Sequence, residues 1–157
     1  GAQWSPNGKR IAYYVGLRYL VLEVATEKTT VLYNATEYRQ IFWNFTWSPD
    51  SQRICFKGLK PDGSEEVVSV SIDPDKPQLK VHHSGKGITG DFAWHPDGQR
   101  IAFCMYCPER NVTQVYEFNP NSDDPPQLLK GQDPNLPNTD ICWTPDGKQL
   151  ILIHGDY

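Results

Sequence analysis

Two carboxylates and one carboxamide recur in a fixed register along this 157-residue chain: Asn44, Asp91 and Asp140 each stand three residues before a tryptophan. Oxygen donors of this kind, gathered at one place, can coordinate a divalent cation or accept hydrogen bonds from an ammonium or guanidinium group. The same residue types also cap local turns, and the spacing leaves both readings open. The histidines do less. His82 and His83 are adjacent, and neighbours on an extended segment point apart, so a metal shared between them is not expected and they read as a solvated loop pair. His95 occupies a turn position and His154 ends a strand, which leaves no dense histidine constellation.

Cysteine chemistry is equally restrained. Cys104 and Cys107 form a single Cys-Met-Tyr-Cys segment with no second pair, a weak zinc signal, and Pro108 stands where haem attachment would require a histidine. Two free thiols or a local disulfide are expected there, while Cys55 and Cys142 read as small buried packing residues. No Gly-x-Ser-x-Gly nucleophile turn, phosphate loop or glycosidase-like carboxylate pair is present. No cofactor is expected, apart from a divalent cation at the three-residue register. Asn34, Asn44 and Asn111 open Asn-x-Thr triplets, which also arise by chance. The net charge of −4 comes with interspersed signs and no basic stripe, which argues against nucleic acid as a partner. No apolar run approaches the roughly 20 residues needed to span a bilayer.

The elements that must position these groups are written as a repeat. "WSPNGKRIAY", "WSPDSQRICF", "WHPDGQRIAF" and "WTPDGKQLIL" begin at Trp4, Trp47, Trp94 and Trp143, with spacings of 43, 47 and 49 residues. Each opens with turn chemistry: proline presets φ, Asp or Asn follows, and glycine takes the left-handed position. Ser51 stands at that glycine position in the second copy, so a strained φ is expected there, at about 1 kcal/mol. An alternating apolar strand follows every turn, and further strand-like runs complete the unit, as in "YLVLEVAT", "EEVVSVSID" and "TQVYEFNP" and then "TTVLYN", "PQLKVHH" and "PQLLKG". Arg10, Arg53 and Arg100 share one register and are expected to pair at the surface with a turn Asp or a carbonyl.

Four strands, A to D, per repeat of this length predict an all-β chain of four-stranded antiparallel blades, a β-propeller segment over residues 1–157 with about three and a half blades. The tryptophan, Ser/Thr/His, Pro, Asp/Asn, Gly pattern resembles the repeat of TolB-like propellers. The same repeat occurs in the propeller domains of prolyl oligopeptidase-type peptidases and in oligogalacturonate lyases. The resemblance spans nearly the whole chain, is specific for fold and is nearly silent on activity. Since such propellers close with more blades, it implies either a longer ring or self-association that completes one. It also implies an extracytoplasmic, periplasmic or secreted, location.

In a propeller, strand A lines the central channel, and the D-to-A and B-to-C loops share one face. That face carries Tyr38, Arg39, Asn44, His82, His83, Asp91, Arg110 and Asp140 as candidate binding residues, with no catalytic residue among them. The expected function is a non-catalytic module that docks a protein partner there. The alternative is the propeller of a larger enzyme, either the gating domain of a serine peptidase or a metal-dependent lyase.

Overall fold

The computed structural model describes residues 1–42, 44–73 and 75–154, with the backbone alone at His154. Among these residues every regular element is a strand. Blade one contains β1 (Ala2–Trp4), β2 (Arg10–Val15), β3 (Arg18–Glu23) and β4 (Lys28–Asn34) in simple meander order. Blade two contains β5 (Gln40–Ile41), β6 (Thr46–Trp47), β7 (Arg53–Leu59), β8 (Glu65–Ser71) and β9 (Leu79–Gly85). Both β5 and β6 pair antiparallel with β7, so strand A of this blade is interrupted between Ile41 and Thr46. Blade three comprises β10 (Ile88–Trp94), β11 (Ile101–Cys107), β12 (Val112–Phe118) and the short β13 (Gln127–Leu128), and β14 (Asn138–Trp143) pairs with β15 (Leu150–His154) as strands A and B of a fourth.

Each tryptophan turn closes as its composition demands. The amide of the fourth residue donates to the carbonyl of the first at 2.8–2.9 Å in all four copies, and Gly8, Ser51, Gly98 and Gly147 adopt φ of 68°, 61°, 75° and 68°. Ser51 therefore carries the strain expected of it. Its side chain shows why serine is kept: the residue is buried, and its Oγ accepts a hydrogen bond from the Asn7 amide in the neighbouring turn at 3.1 Å. The hydrogen bond offsets the strain with an energy of similar size, about 1 kcal/mol.

A blade has two apolar faces and can bury neither alone, so the core lies between blades. Tyr19, Val21 and Leu32 of blade one meet Trp47, Ile54, Phe56, Val68 and Val70 of blade two. Cys55 and Val67 of blade two meet Ile101, Phe103 and Phe118 of blade three, and Ala102, Cys104 and Val115 receive Leu150 and Leu152 of blade four. Phe56 and Phe103 occupy the same register and are both fully buried, each contributing roughly 2–3 kcal/mol.

Strand D of blades one and two contains an irregularity that corrects the reading of the histidine pair. β9 extends to Gly85, so His82 and His83 lie in a strand, and the D-to-A connection shortens to Lys86 and Gly87. The register shifts between Val67 and Val68, leaving His82 as the extra residue of a β-bulge. With the alternation broken, both rings turn toward blade three: His82 packs against Phe118 at 4.7 Å between centroids and His83 against Phe103 at 6.1 Å. They are half-buried seam residues, not a solvated pair. Leu32 and Tyr33 repeat the arrangement in blade one.

Candidate functional site at the channel mouth

Asn44, Asp91 and Asp140 come together. With Gln3 and the flanks of Phe45, Phe92 and Ile141 they line a cavity of about 140 Å³ built from the strand A segments of all four blades. Three local distortions aim them there. In blade two the interruption between β5 and β6 frees Asn44 from the ladder, while Phe45 is buried and its carbonyl accepts from Gln3 Nε2 at 2.6 Å. The Trp47 indole N–H returns the link to the Gln3 carbonyl at 3.2 Å. In blade three the register slips between Ile88 and Phe92, and in blade four between Asn138 and Ile141. Asp91 and Asp140 thus both lie in bulged stretches, which is how a strand re-aims a side chain.

Gly90 makes the blade three bulge possible. Its φ is +91°, and a Cβ at that position would lie 2.9 Å from Asn44 Nδ2. Only glycine admits both the backbone and the amide. Beneath it, Lys57 and Glu65 form a buried ion pair at 2.6 Å that grips one residue of the facing blade: Lys57 Nζ donates to the Ile88 carbonyl, and the Ile88 amide donates to Glu65 Oε2 at 2.8 Å. The Lys57 ammonium also sits 4.4 Å from the centre of the Phe42 ring.

The electrostatics are those of a partly desolvated acidic mouth. Burial lifts the Asp91 carboxyl above its ordinary range; the Asn44 hydrogen bond opposes the rise, the Asp140 charge adds to it and Lys57 opposes it. Asn44 Oδ1 is buried without a hydrogen-bond partner. The arrangement provides oxygen acceptors and negative charge, and no nucleophile with a base beside it.

The other candidates divide. Arg39 is exposed on the loop-bearing face. Arg110 lies at the B-to-C turn of blade three with Nη1 donating to Gln114 Oε1 at 2.7 Å. Tyr38 is packed inside: its ring fills the space left by Gly58, where a Cβ would approach to 2.4 Å, and its hydroxyl donates to Glu66 Oε2 at 2.7 Å. Glu66 is held in turn by Lys60 at 2.7 Å, so the tyrosine organises the loop and offers a partner no free surface. His82 Nε2 lies 2.8 Å from Ser69 Oγ, and burial depresses its pKa to about 4, helped by the Lys80 and Arg53 charges.

Sequence reasoning missed Gln3, the Lys57–Glu65 clamp and the polar network under the blade three D-to-A loop. There the fully buried Gln114 donates to the carbonyls of Asp133 and Leu136, and Gln132 accepts from Asn138 Nδ2 at 2.7 Å. A signal was available for Lys57 alone, which stands ten residues after its tryptophan where the sister repeats carry Tyr14, Cys104 and Ile153; Gln114 shares its register with the polar Glu66 and Arg18. The arginine register follows the expectation in part: Arg100 Nη2 pairs with its turn carboxylate, Asp97 Oδ2, at 3.7 Å, but the register makes other contacts as well. Arg53 and Arg100 lie over the tryptophan of the next blade, 5.3 Å from Trp94 and 5.2 Å from Trp143, whereas Arg10 pairs with Glu23 at 2.7 Å. Cys104 and Cys107 are free buried thiols and so is Cys55, but Cys142 is exposed, because the face of the two-stranded β14–β15 sheet that it shares with its exposed partner Ile151 is uncovered.

The sequence matches no protein-family model and no curated protein. Solved structures are similar in fold. TolB from Acinetobacter baumannii superposes with a TM-score of 0.78 at 19% identity, over 99% of this chain and 37% of that one. An oligogalacturonate lyase in complex with manganese gives 0.80 at 16%, over 99% and 46%, and a prolyl endopeptidase structure gives 0.66 at 13%, over 98% and 25%. The chain therefore spans less than half the length of these three proteins. Manganese is not matched by the donors present: among the described residues no three His, Cys, Asp or Glu side chains converge as a metal site, and His82 and His83 face a blade seam. No helix of the described residues is long and apolar enough to cross a membrane.

Proposed function

On this TolB-like β-propeller fold, we propose that the chain is a non-catalytic protein-binding scaffold, and that a partner engages the loop-bearing face by placing a basic group in the channel mouth. The observation that carries the reading is the convergence of Asn44, Asp91 and Asp140 on one cavity. A guanidinium or ammonium satisfies it well. Such a group would supply donors to the unpartnered Asn44 Oδ1 and positive charge to a carboxyl that burial disfavours as an anion. Arg39 and Arg110 would contact the rim. A divalent cation is the competing occupant of the same oxygens, and the likeness to TolB supports an extracytoplasmic setting.

The test is calorimetric titration with a short arginine-containing peptide and its citrulline counterpart. Heat is expected from the first, at least tenfold weaker binding from the second, and loss of the signal in Asp91→Asn. Equal behaviour of the two peptides contradicts the reading, and a calcium titration that produces the only heat reassigns the site to a cation.

A second reading, the propeller portion of a larger enzyme, is supported by the superposition on a quarter of a prolyl endopeptidase chain. It predicts that peptides pass the channel without being retained, the opposite of a saturable arginine site. The exposed apolar residues Trp4, 58% exposed, and Ile151, 55% exposed, support a further proposal that the outer blade faces associate with another blade, supplied by a longer ring or a second chain.

A further inference from the structure

We propose that the seam between blades one and two, on the face of the A-to-B and C-to-D turns, is a binding cleft for a small ring-bearing monocarboxylate. The repeat supplies an internal comparison. In the second seam the space outside Phe118 is filled: the His82 ring packs on Phe118, its Nε2 contacts Ser69 Oγ, and Lys80 crosses to blade three, reaching the Ser122 carbonyl at 2.9 Å and Asp123 at 3.0 Å. The strand registers place Val21 where Ser69 stands, Thr30 where Lys80 stands and Leu32 where His82 stands. Val21 and Leu32 pack into the apolar core of the seam, and Thr30 is too short to make the crossing that Lys80 makes.

What remains is a cleft of about 230 Å³ with an apolar floor of Val21, Leu32 and Ile72. Its rim holds Arg10, Lys28 and Glu23, with Arg10 Nε 2.7 Å from Glu23 Oε2. Two cations against one carboxylate leave a single positive charge, which a monoanion matches. The corresponding arginine of the next blade is withdrawn over Trp94, whereas the Glu23 pairing keeps Arg10 at the edge of the opening. The apolar floor and the imidazole found in the equivalent volume specify a flat ring, and the size admits a ligand with on the order of ten non-hydrogen atoms, smaller than the usual drug-sized occupant. The carboxylate meets Lys28 and Arg10 and the ring lies on Leu32 and Ile72.

The experiment is an amide NMR titration of the chain with phenylacetate, with phenylacetamide as the uncharged control. Saturating shifts at Thr30, Leu32 and Ile72 are expected, with half-saturation in the millimolar range and severalfold weaker binding of the amide. Lys28→Glu should weaken phenylacetate binding about tenfold. Thr30→Lys combined with Leu32→His installs residues the chain already uses in the second seam, and should abolish the shifts while the spectrum stays folded. Absence of saturable shifts in the wild-type chain overturns the proposal. So does binding that survives both variants. The cleft is remote from the channel mouth, so either result leaves the arginine-peptide experiment unaffected.

Discussion

Two residues show how far a repeat can bend its own rule. Ser51 holds a left-handed φ of 61° that its sister turns give to glycine, and gains the Asn7 hydrogen bond in exchange. Ser51→Ala keeps the strain and loses the bond, so chemical denaturation should report a loss of about 1 kcal/mol; Ser51→Gly loses both and should stay within about 0.5 kcal/mol of wild type. The strain was legible in the sequence, since a turn lacking its glycine announces itself, but the compensating bond was not, because its donor lies in another turn. His82 is the converse case. Its pKa falls from 6.5 to about 4 in the fold, so the unfolded chain takes up its proton first as pH drops. The contribution is complete above pH 6.5 and is lost as pH falls toward 4. Because the ring is only half-buried, the amplitude is discounted to about 1–2 kcal/mol. His82→Leu, the residue of the equivalent strand, should flatten stability over that interval, and an unchanged slope would show that the ring does not titrate there.

At the scale of elements, the bulges do what regular strands cannot. The alternating apolar residues of β7, β8, β11 and β12 predicted their own pairing, because a two-residue period is visible without knowledge of partners. The irregular strand A segments and the bulge at His82 have no such signature, and there the reading of adjacent histidines as oppositely directed failed. Gly90 is the clearest element-level test. Gly90→Ala must place a side chain at φ +91° and push Asn44 aside, costing about 1–3 kcal/mol by thermal unfolding, and it should weaken arginine-peptide binding in the same variant. A variant with intact stability and binding would mean that the bulge is not what positions Asn44.

Across the whole molecule, blades one to three exchange apolar faces, and the arginine of one blade covers the tryptophan of the next at two seams. The fold was legible because four copies of one turn and one tryptophan recur at nearly constant distance. The channel residues were legible only as a register, Asn44, Asp91 and Asp140 each three before a tryptophan; their convergence depends on a ring geometry that no local pattern states. The clamp formed by Lys57, Glu65 and Ile88 was hidden for the same reason, since its partners belong to different blades. The central claim is that these oxygens form one acceptor site for a basic group. Carboxyl-carbon NMR of Asp91 and Asp140 during titration with the arginine-containing peptide measures it at the atoms concerned. Both signals should move together and saturate with the calorimetric affinity while the turn carboxylates Asp50 and Asp146 stay fixed; peptide heat with Asp91 and Asp140 unmoved would contradict the account and place binding elsewhere.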